Sequence, residues 1–341
     1  MNNFRSAFLR SSLITLIALL LWGLIKLESR AQNPVAQPHP YASNKPIPEP
    51  VLFGEGIVST ADDDLNAAFS PDGKTVYFSK NVPVNRMGVI LYSEHKNGKW
   101  SEPEVAPFSG QYSDYDPFFS HDGSKLFYIS NRPIEAGKPK RDYDIWVVEK
   151  TANGWRAARN LGSPINTEKD EFYPSIAADG TLVFSANRAG MKGGFDLYKS
   201  KLIDGKYTEP ENMGDAINSQ FAEIDSHIAP DQSFIVFASY GRPDELGRGD
   251  LYISYHRNGA WTKAVNLGNK INSSAREYCP IGSPDGKYFF FTSFRGFADK
   301  TPEKPLTYQE LTKHLNSTLN GLGNIYQVDI SALQVGETAR N

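Results

Sequence analysis

The chain is most informative first for what it lacks. A single cysteine, Cys279, stands in 341 residues, so no intrachain disulfide and no CxxC metal or redox pair can form. The histidines (39, 95, 121, 227, 256 and 314) fall into no HxH or HExxH spacing, and no Gly-x-Ser-x-Gly nucleophile elbow occurs. Charge of one sign is missing too. Lys and Arg number 36 against 39 Asp and Glu, a net charge of -3, which gives no electrostatic grip on nucleic acid or an anionic membrane. No apolar run reaches the length of about 20 residues that a bilayer demands. The longest, Leu13 to Ile25, has thirteen.

That short run follows Arg5 and Arg10 and precedes Ser29-Arg30-Ala31, small residues at the -3 and -1 positions of a cleavage site. Residues 1–31 are therefore expected to be a signal peptide, with a retained signal anchor, edged by Trp22 and Lys26, as the alternative. Residues 32–48 carry five prolines and almost no large aliphatics, the composition of an extended tether. Periplasmic or secreted localisation follows, with membrane attachment only through an uncleaved signal segment. In an exported chain the lone Cys279 is expected to serve as a small buried hydrophobe.

What is abundant is aromatic and repetitive. There are 20 Phe, 17 Tyr and 5 Trp, punctuated by 28 Gly and 22 Pro. A turn of the form [SA]-x-D-G recurs with its Asp at 72, 122, 179, 231 and 285, where the fourth copy has Gln232 in place of Gly. The spacings are 50, 57, 52 and 54 residues. Asp followed by a residue that accepts positive φ suits a tight hairpin. A short apolar strand follows each turn, such as Val76-Tyr77-Phe78 or Tyr288-Phe289-Phe290-Phe291. A third strand then carries D-[IL]-[YW] at Asp144, Asp196 and Asp250, and a fourth opens with Trp100, Trp155, Tyr207 or Trp261. A closing phrase, Leu161-Gly162-Ser163-Pro164-Ile165-Asn166, returns at 213–218 and 267–272.

Four strands per unit of about 50 residues is the arithmetic of a β-propeller blade. The last unit lacks a fourth strand, whereas Phe53 to Val58 supplies a spare closing phrase ahead of the first. The expected fold is thus an all-β propeller of five four-stranded blades, with six as the alternative, over residues 49–333. Residues 49–60 are expected to complete the last blade, which removes unpaired edges. Residues 334–341 are left as a tail. One insertion, 297–323, carries Thr307-Tyr308-Gln309-Glu310, a capping box, ahead of Leu311, Leu315 and Leu319, and predicts a helix over 308–317 packed across a propeller face.

The segments SPDGKTVYFS, SHDGSKLFYISNR, AADGTLVFSANR and SPDGKYFFFTSFR, with the D-[IL]-[YW] strand, resemble the WD40-like PD40 repeat of TolB-type bacterial propellers. The resemblance spans residues 49–333. It implies an exported propeller that scaffolds contacts with an envelope protein or a glycan, without catalysis and without a cofactor.

Eight residues before each turn Asp stands an acid: Asp64, Asp114, Glu171, Glu223 and Glu277. At the far end of each second strand stands a base: Lys80, Arg132, Arg188, Arg242 and Arg295. Cyclic symmetry sets these on one face around the channel. They are expected to pair and lock the blades, bidentate where Arg meets carboxylate. A ring left unpaired would instead bind a cation, a basic peptide or a sugar, since crowded carboxylates repel one another. Asp116 and Asp225 add two acids at the -6 position, and His227 lies on an innermost strand as a core residue or a channel ligand. The competing class is a polysaccharide-active enzyme, a glycoside hydrolase or lyase that uses two carboxylates at the channel mouth.

Overall fold

The structure is a computed structural model, and it describes residues 39–333 apart from 83–86, 136, 139–141 and 298–300. The predicted signal segment, the tether up to residue 38 and the C-terminal tail lie outside the described residues.

Five antiparallel sheets make a five-bladed propeller. The first blade runs outward through Asp63–Phe69, Thr75–Val82 and Met87–Lys96, whose outer edge takes Lys99–Trp100 and Glu104–Val105. The second uses Asp114–Phe119, Lys125–Ser130 and Asp144–Thr151, edged by Gly154–Trp155 and Arg159–Asn160. The third uses Glu171–Ile176, Leu182–Ala186, Asp196–Ser200 and Glu211–Asn212. The fourth uses Ala222–Ile228, Phe234–Tyr240 and Asp250–Arg257, edged by Ala260–Trp261 and Val265–Asn266. The fifth uses Glu277–Gly282, Tyr288–Ser293 and Asn324–Asp329.

The fifth blade takes its outermost strand from the other end of the fold. Val51 pairs with Gln327 and Leu52 with Tyr326, antiparallel, and the Phe53 amide donates to the Ile325 carbonyl at 2.9 Å. Phe53 then inserts its ring between blades, 5.5 Å from Phe69 and 5.0 Å from Phe290. Closure therefore joins backbone pairing to aromatic burial.

Residues 40–48 do more than tether. Tyr41 is buried against Phe69, Tyr288 and Phe290, with ring centroids 4.8 to 5.9 Å apart. Gln327 donates to the Tyr41 carbonyl, and Ile47 and Asp329 exchange two hydrogen bonds. Proline kept this stretch out of any strand, but a single tyrosine and its backbone carbonyls are enough to fasten it down.

Two recurrent turns explain the sequence spacing. In the D-G turns the Asp carboxylate accepts from the preceding Ser hydroxyl in three blades, as Ser70 to Asp72 at 2.6 Å. The next residue adopts positive φ in all five: Gly73, Gly123, Gly180, Gln232 and Gly286, between 58° and 86°. In the closing phrase the last Asn clasps the third strand of its blade. Asn166 accepts from the Ile145 amide and donates to its carbonyl, as Asn218 does with Leu197 and Asn272 with Leu251. Ser59 holds Ile325 in the same way for the fifth blade. Each D-[IL]-[YW] acid accepts from a second Asn, as Asp144 from Asn160 at 2.6 Å, which in turn accepts from the clasping Asn.

Gln232 is the one non-glycine at its turn position, and a Cβ in the left-handed region costs about 1–2 kcal/mol. Its amide recovers part of this through an exposed bond to Asp179 at 2.8 Å. Gln232→Gly is expected to raise the unfolding temperature by about 1–3 °C, read by differential scanning calorimetry. A fall would mean that the Asp179 bond outweighs the backbone strain.

Candidate functional site

The ring acids stand at the start of the innermost strands, and all five are completely buried. Each meets the base of its own blade. The distances are 3.2 Å for Lys80 with Asp64, 2.9 Å for Arg132 with Asp114 and 3.5 Å for Arg188 with Glu171. They are 2.8 Å for Arg242 with Glu223 and 3.2 Å for Arg295 with Glu277. In four blades a Ser or Thr four residues earlier donates both its amide and its hydroxyl to the acid: Thr60, Thr167, Ser219 and Ser273. In the second blade Ser109 donates its hydroxyl to Asp114.

The arginines reach one step further. Arg132 donates to the Phe108 carbonyl, Arg242 to Ile217 and Arg295 to Ile271, at 2.6 to 2.7 Å, and Arg188 donates to Pro164 and Ile165. Those carbonyls belong to the closing segments of the preceding blades. Each guanidinium also lies over aromatic rings of its own blade, as Arg242 over Tyr252 at 4.6 Å and Arg295 over Tyr326 at 4.9 Å. One planar, five-donor cation thus ties an acid, two rings and a neighbouring blade's backbone. Lys80 has no such fork and pairs with Asp62 at 2.8 Å instead.

The -6 acids belong to a second ring, which varies in residue type. Two residues beyond each ring acid the strand bulges, and the residue there takes positive φ: Asn66, Asp116, Tyr173, Asp225 and Cys279, between 49° and 57°. Here the five blades differ, and the side chains meet. The Tyr173 hydroxyl donates to the Pro280 carbonyl of the fifth blade at 2.9 Å. The Cys279 thiol lies 3.9 Å from Asp225 Oδ2. Cys279 is buried as expected, but among acids rather than only hydrophobes. Burial, followed by the charge of Asp225, pushes Asp116 well above the usual carboxylate range. Burial also lifts Asp225 to about 6, although Arg276 pulls the other way. Burial lifts Glu171 of the ring to about 7. His227 is buried as well, and desolvation lowers it to about 4, so its imidazole is neutral at neutral pH.

Sequence reasoning located Asp116 and Asp225 but not Asn66, Tyr173 and Cys279. The signal was position, two residues past each ring acid, and not residue type. Among the described residues no group of three or more His, Cys, Asp and Glu is arranged to hold a metal ion. No helix among them is long and apolar enough to cross a membrane.

The insertion rises from the ring-bearing end. The Asp64 amide donates to the Gly323 carbonyl and the Gly323 amide to Asp63. Its helix is Tyr308–Leu315, two residues shorter than predicted, with the Thr307–Glu310 capping box formed. Phe297 stacks on His314 at 4.3 Å, and Asn320 donates to the Ala61 carbonyl. No residue of the helix is buried, and Tyr308, Leu311 and Leu315 face solvent, Tyr308 at 81% exposure. The packing across a propeller face that the sequence predicts does not bury the helix, whose capping and ring contacts lie at Thr307, Glu310 and His314.

Two stability predictions follow from the rings. Glu223→Gln leaves Arg242 buried without its counter-charge and is expected to cost about 3–5 kcal/mol. Glu171→Gln, at the longest and most proton-prone of the pairs, is expected to cost clearly less. Urea unfolding of both variants reads the difference, and equal losses contradict it. For Asp225 the folded-state affinity for protons exceeds that of the unfolded chain, so its ionisation costs stability as pH rises from about 4 through 6. Asp225→Asn is therefore expected to exceed the parent by about 1–3 kcal/mol at pH 7.5, with the gap closing toward pH 4.5. Glu171 and His227 titrate in both proteins and cancel in that difference. Asp116, which the Asp225 charge holds up, is relieved in the variant and adds to the gap, so the gap belongs to the pair. A gap independent of pH rules out this linkage.

No family model matches the chain, and no curated protein matches it. Solved structures do. An α-L-arabinofuranosidase from Lactobacillus brevis is similar at 10% identity and TM-score 0.48, over 80% of this chain and 92% of that one. A protein of unknown function from Dyadobacter fermentans DSM 18053 is similar at 14% identity and TM-score 0.42, over 82% and 96%. The β-propeller domain of the Trilobed protease from Pyrococcus furiosus is similar at 14% identity and TM-score 0.37, over 68% and 64%.

Proposed function

We propose that the chain is an exported, noncatalytic binding module of the bacterial cell envelope, of the kind its likeness to TolB-type PD40 repeats suggests, periplasmic or secreted. One observation carries the reading. All five ring carboxylates are buried and already bonded to a base and to Ser or Thr, so that ring has no free acid to offer. What remains for recognition at that end is the insertion, whose Tyr308, Leu311 and Leu315 present apolar surface on a helix held by a rigid ring. An envelope protein with a complementary apolar patch is the partner this surface suits.

The second reading is a polysaccharide-active enzyme, and Asp116 with Asp225 is the observation that favours it. These carboxyls break the fivefold pattern, lie near one another and hold protons unusually well. A channel-bound cation would sit at the same pair.

The two readings part on one experiment. The secreted chain, a Leu311→Asp/Leu315→Asp variant and Asp225→Asn are each immobilised, exposed to an envelope extract, and assayed for reducing ends released from envelope glycans. The binding reading expects a protein retained by the parent and by Asp225→Asn, lost from the leucine variant, with no release of sugar. Release of sugar that Asp225→Asn abolishes replaces it with the enzyme. Retention unaffected by the leucine substitutions removes the insertion from the partner surface.

A further inference from the structure

At the D-G turns, the end opposite the acid ring, four of the five seams between blades are closed by identifiable side chains. Between the first and second blades Trp155 donates its indole N–H to Tyr77 and lies against Phe119. Between the third and fourth, Gln232 bonds Asp179 and the Ala178 amide donates to the Pro230 carbonyl. Between the fourth and fifth, His227 takes the space that Gly282 leaves, where a Cβ would stand 2.7 Å from its Nε2, and Leu333 is buried nearby. Between the fifth and first stands Tyr41. The seam between the second and third holds a cleft of about 550 Å³ instead. Two residues account for it. The third blade brings Tyr207 where the first, second and fourth bring tryptophan, and Val147 stands opposite Phe127 where the first blade sets Tyr92 opposite Tyr77.

The cleft is a second copy of the Tyr41 seat. That ring rests on Phe290 of its own blade and Phe69 of the next, and its hydroxyl faces Ser283 and Asp285. Phe127, Ile176, Ser120 and Asp122 hold the same places, counted from the turn Asp, and all four line the cleft. The seat for a ring is therefore kept. The grip on a peptide is not. Tyr288, whose hydroxyl bonds the Ser43 amide and carbonyl, is replaced by Lys125. Gln327, which donates to the Tyr41 carbonyl from its place opposite Phe290, is replaced by Val147.

Lys125, Arg159 and Lys206 set three cations in the lining against two acids, Asp122 and Asp179. Both acids are engaged, Asp122 by Ser120 and Ser124 and Asp179 by Thr181 and Gln232. Among the described residues the three cations form no ion pair. His121, Ser124 and Ser163 of the lining are exposed, whereas its buried side chains are all apolar, Phe127, Val147, Ile165 and Ile176 among them. Unpaired cations beside an apolar seat favour an anion with an apolar body. We propose that the cleft binds a small aromatic carboxylate, its ring in the place that Tyr41 takes at the other seam and its carboxylate on Lys125. A hydroxyl para to the acid chain then reaches Ser120 and Asp122, as the Tyr41 hydroxyl reaches their counterparts. An acidic sugar would meet the same cations but set most of its hydroxyls against the buried apolar side chains. The cleft lies at the opposite end from the insertion and is independent of the protein-binding reading.

Equilibrium dialysis of the secreted chain against 4-hydroxyphenylacetate, 4-hydroxyphenylacetamide and glucuronate tests it. The expected result is saturable uptake of one aromatic acid per chain, about tenfold tighter than the amide and weakened by salt, with no uptake of glucuronate. Lys125→Gln is expected to bring the acid down to the level of the amide at an unchanged unfolding temperature. Tyr207→Trp, which copies three other blades, is expected to fill the cleft and weaken the acid about tenfold. Equal uptake of acid and amide by the parent overturns the proposal, as does a preference that survives Lys125→Gln. Glucuronate bound as tightly as the aromatic acid overturns it too, and so does binding that a folded Tyr207→Trp leaves unchanged. Should Tyr207→Trp fold poorly, the parent's preference and Lys125→Gln decide the matter.

Discussion

A carboxylate buried at the start of every innermost strand is the constraint around which the rest is arranged. Removing a charge from water costs several kcal/mol even after relaxation, so it persists only where its lone pairs are filled. Here a base of the same blade fills some, and in four blades a Ser or Thr amide and hydroxyl fill others. The arginine must then be satisfied in turn, and its remaining donors find carbonyls of the blade before. An ion pair internal to one blade thereby becomes a bond between two. Repeated at four junctions, it ties successive blades through buried charge, and the fifth junction, where Lys80 replaces arginine, is closed by the Val51–Leu52 strand and Phe53 instead.

This explains why the near-zero net charge conceals so much electrostatic order. Acids and bases are matched in position, blade by blade, and their sum has no meaning for function. It also explains why polar residues recur at fixed spacing in a chain so rich in aromatics. In the second, third and fourth blades the Asn of the closing phrase and the Asp of the third strand satisfy polar groups that would be stranded where one blade hands over to the next. Ser109 and Ser59 clasp the third strand in the first and fifth. Without them the outer strands, only two residues long in each blade, could not hold their edge.

The fold was legible from the sequence because repetition multiplies weak signals. One D-G dipeptide predicts little, but five at near-constant spacing predict a ring, and a spare Phe53 to Val58 predicts how it closes. The helix was legible because capping is local chemistry, confined to Thr307 and Glu310. The fastening of Tyr41 was not, since its partners Phe69, Tyr288 and Phe290 lie far away in the chain. Nor was the inner ring, where Asn66, Tyr173 and Cys279 share a backbone state with Asp116 and Asp225 but no chemistry. A left-handed bulge leaves no residue signature when tertiary packing, not propensity, imposes it.

The division between what repeats and what departs from the repeat is also a division of labour along the axis. At the ring-bearing end the blades are alike, and individuality enters only through an insertion built outside the repeat. Midway, the bulge ring is uniform in backbone and diverse in side chain, and Tyr173 spans from the third blade to the fifth. At the turn end the backbone is again uniform, yet His227 and Gly282 set one sector apart from the rest. Symmetric positions are committed to holding the ring together, because a change at any of them strands a buried charge or a backbone group. Only positions that the latch does not use are free to diverge, as His227 and Gly282 do at the turn end.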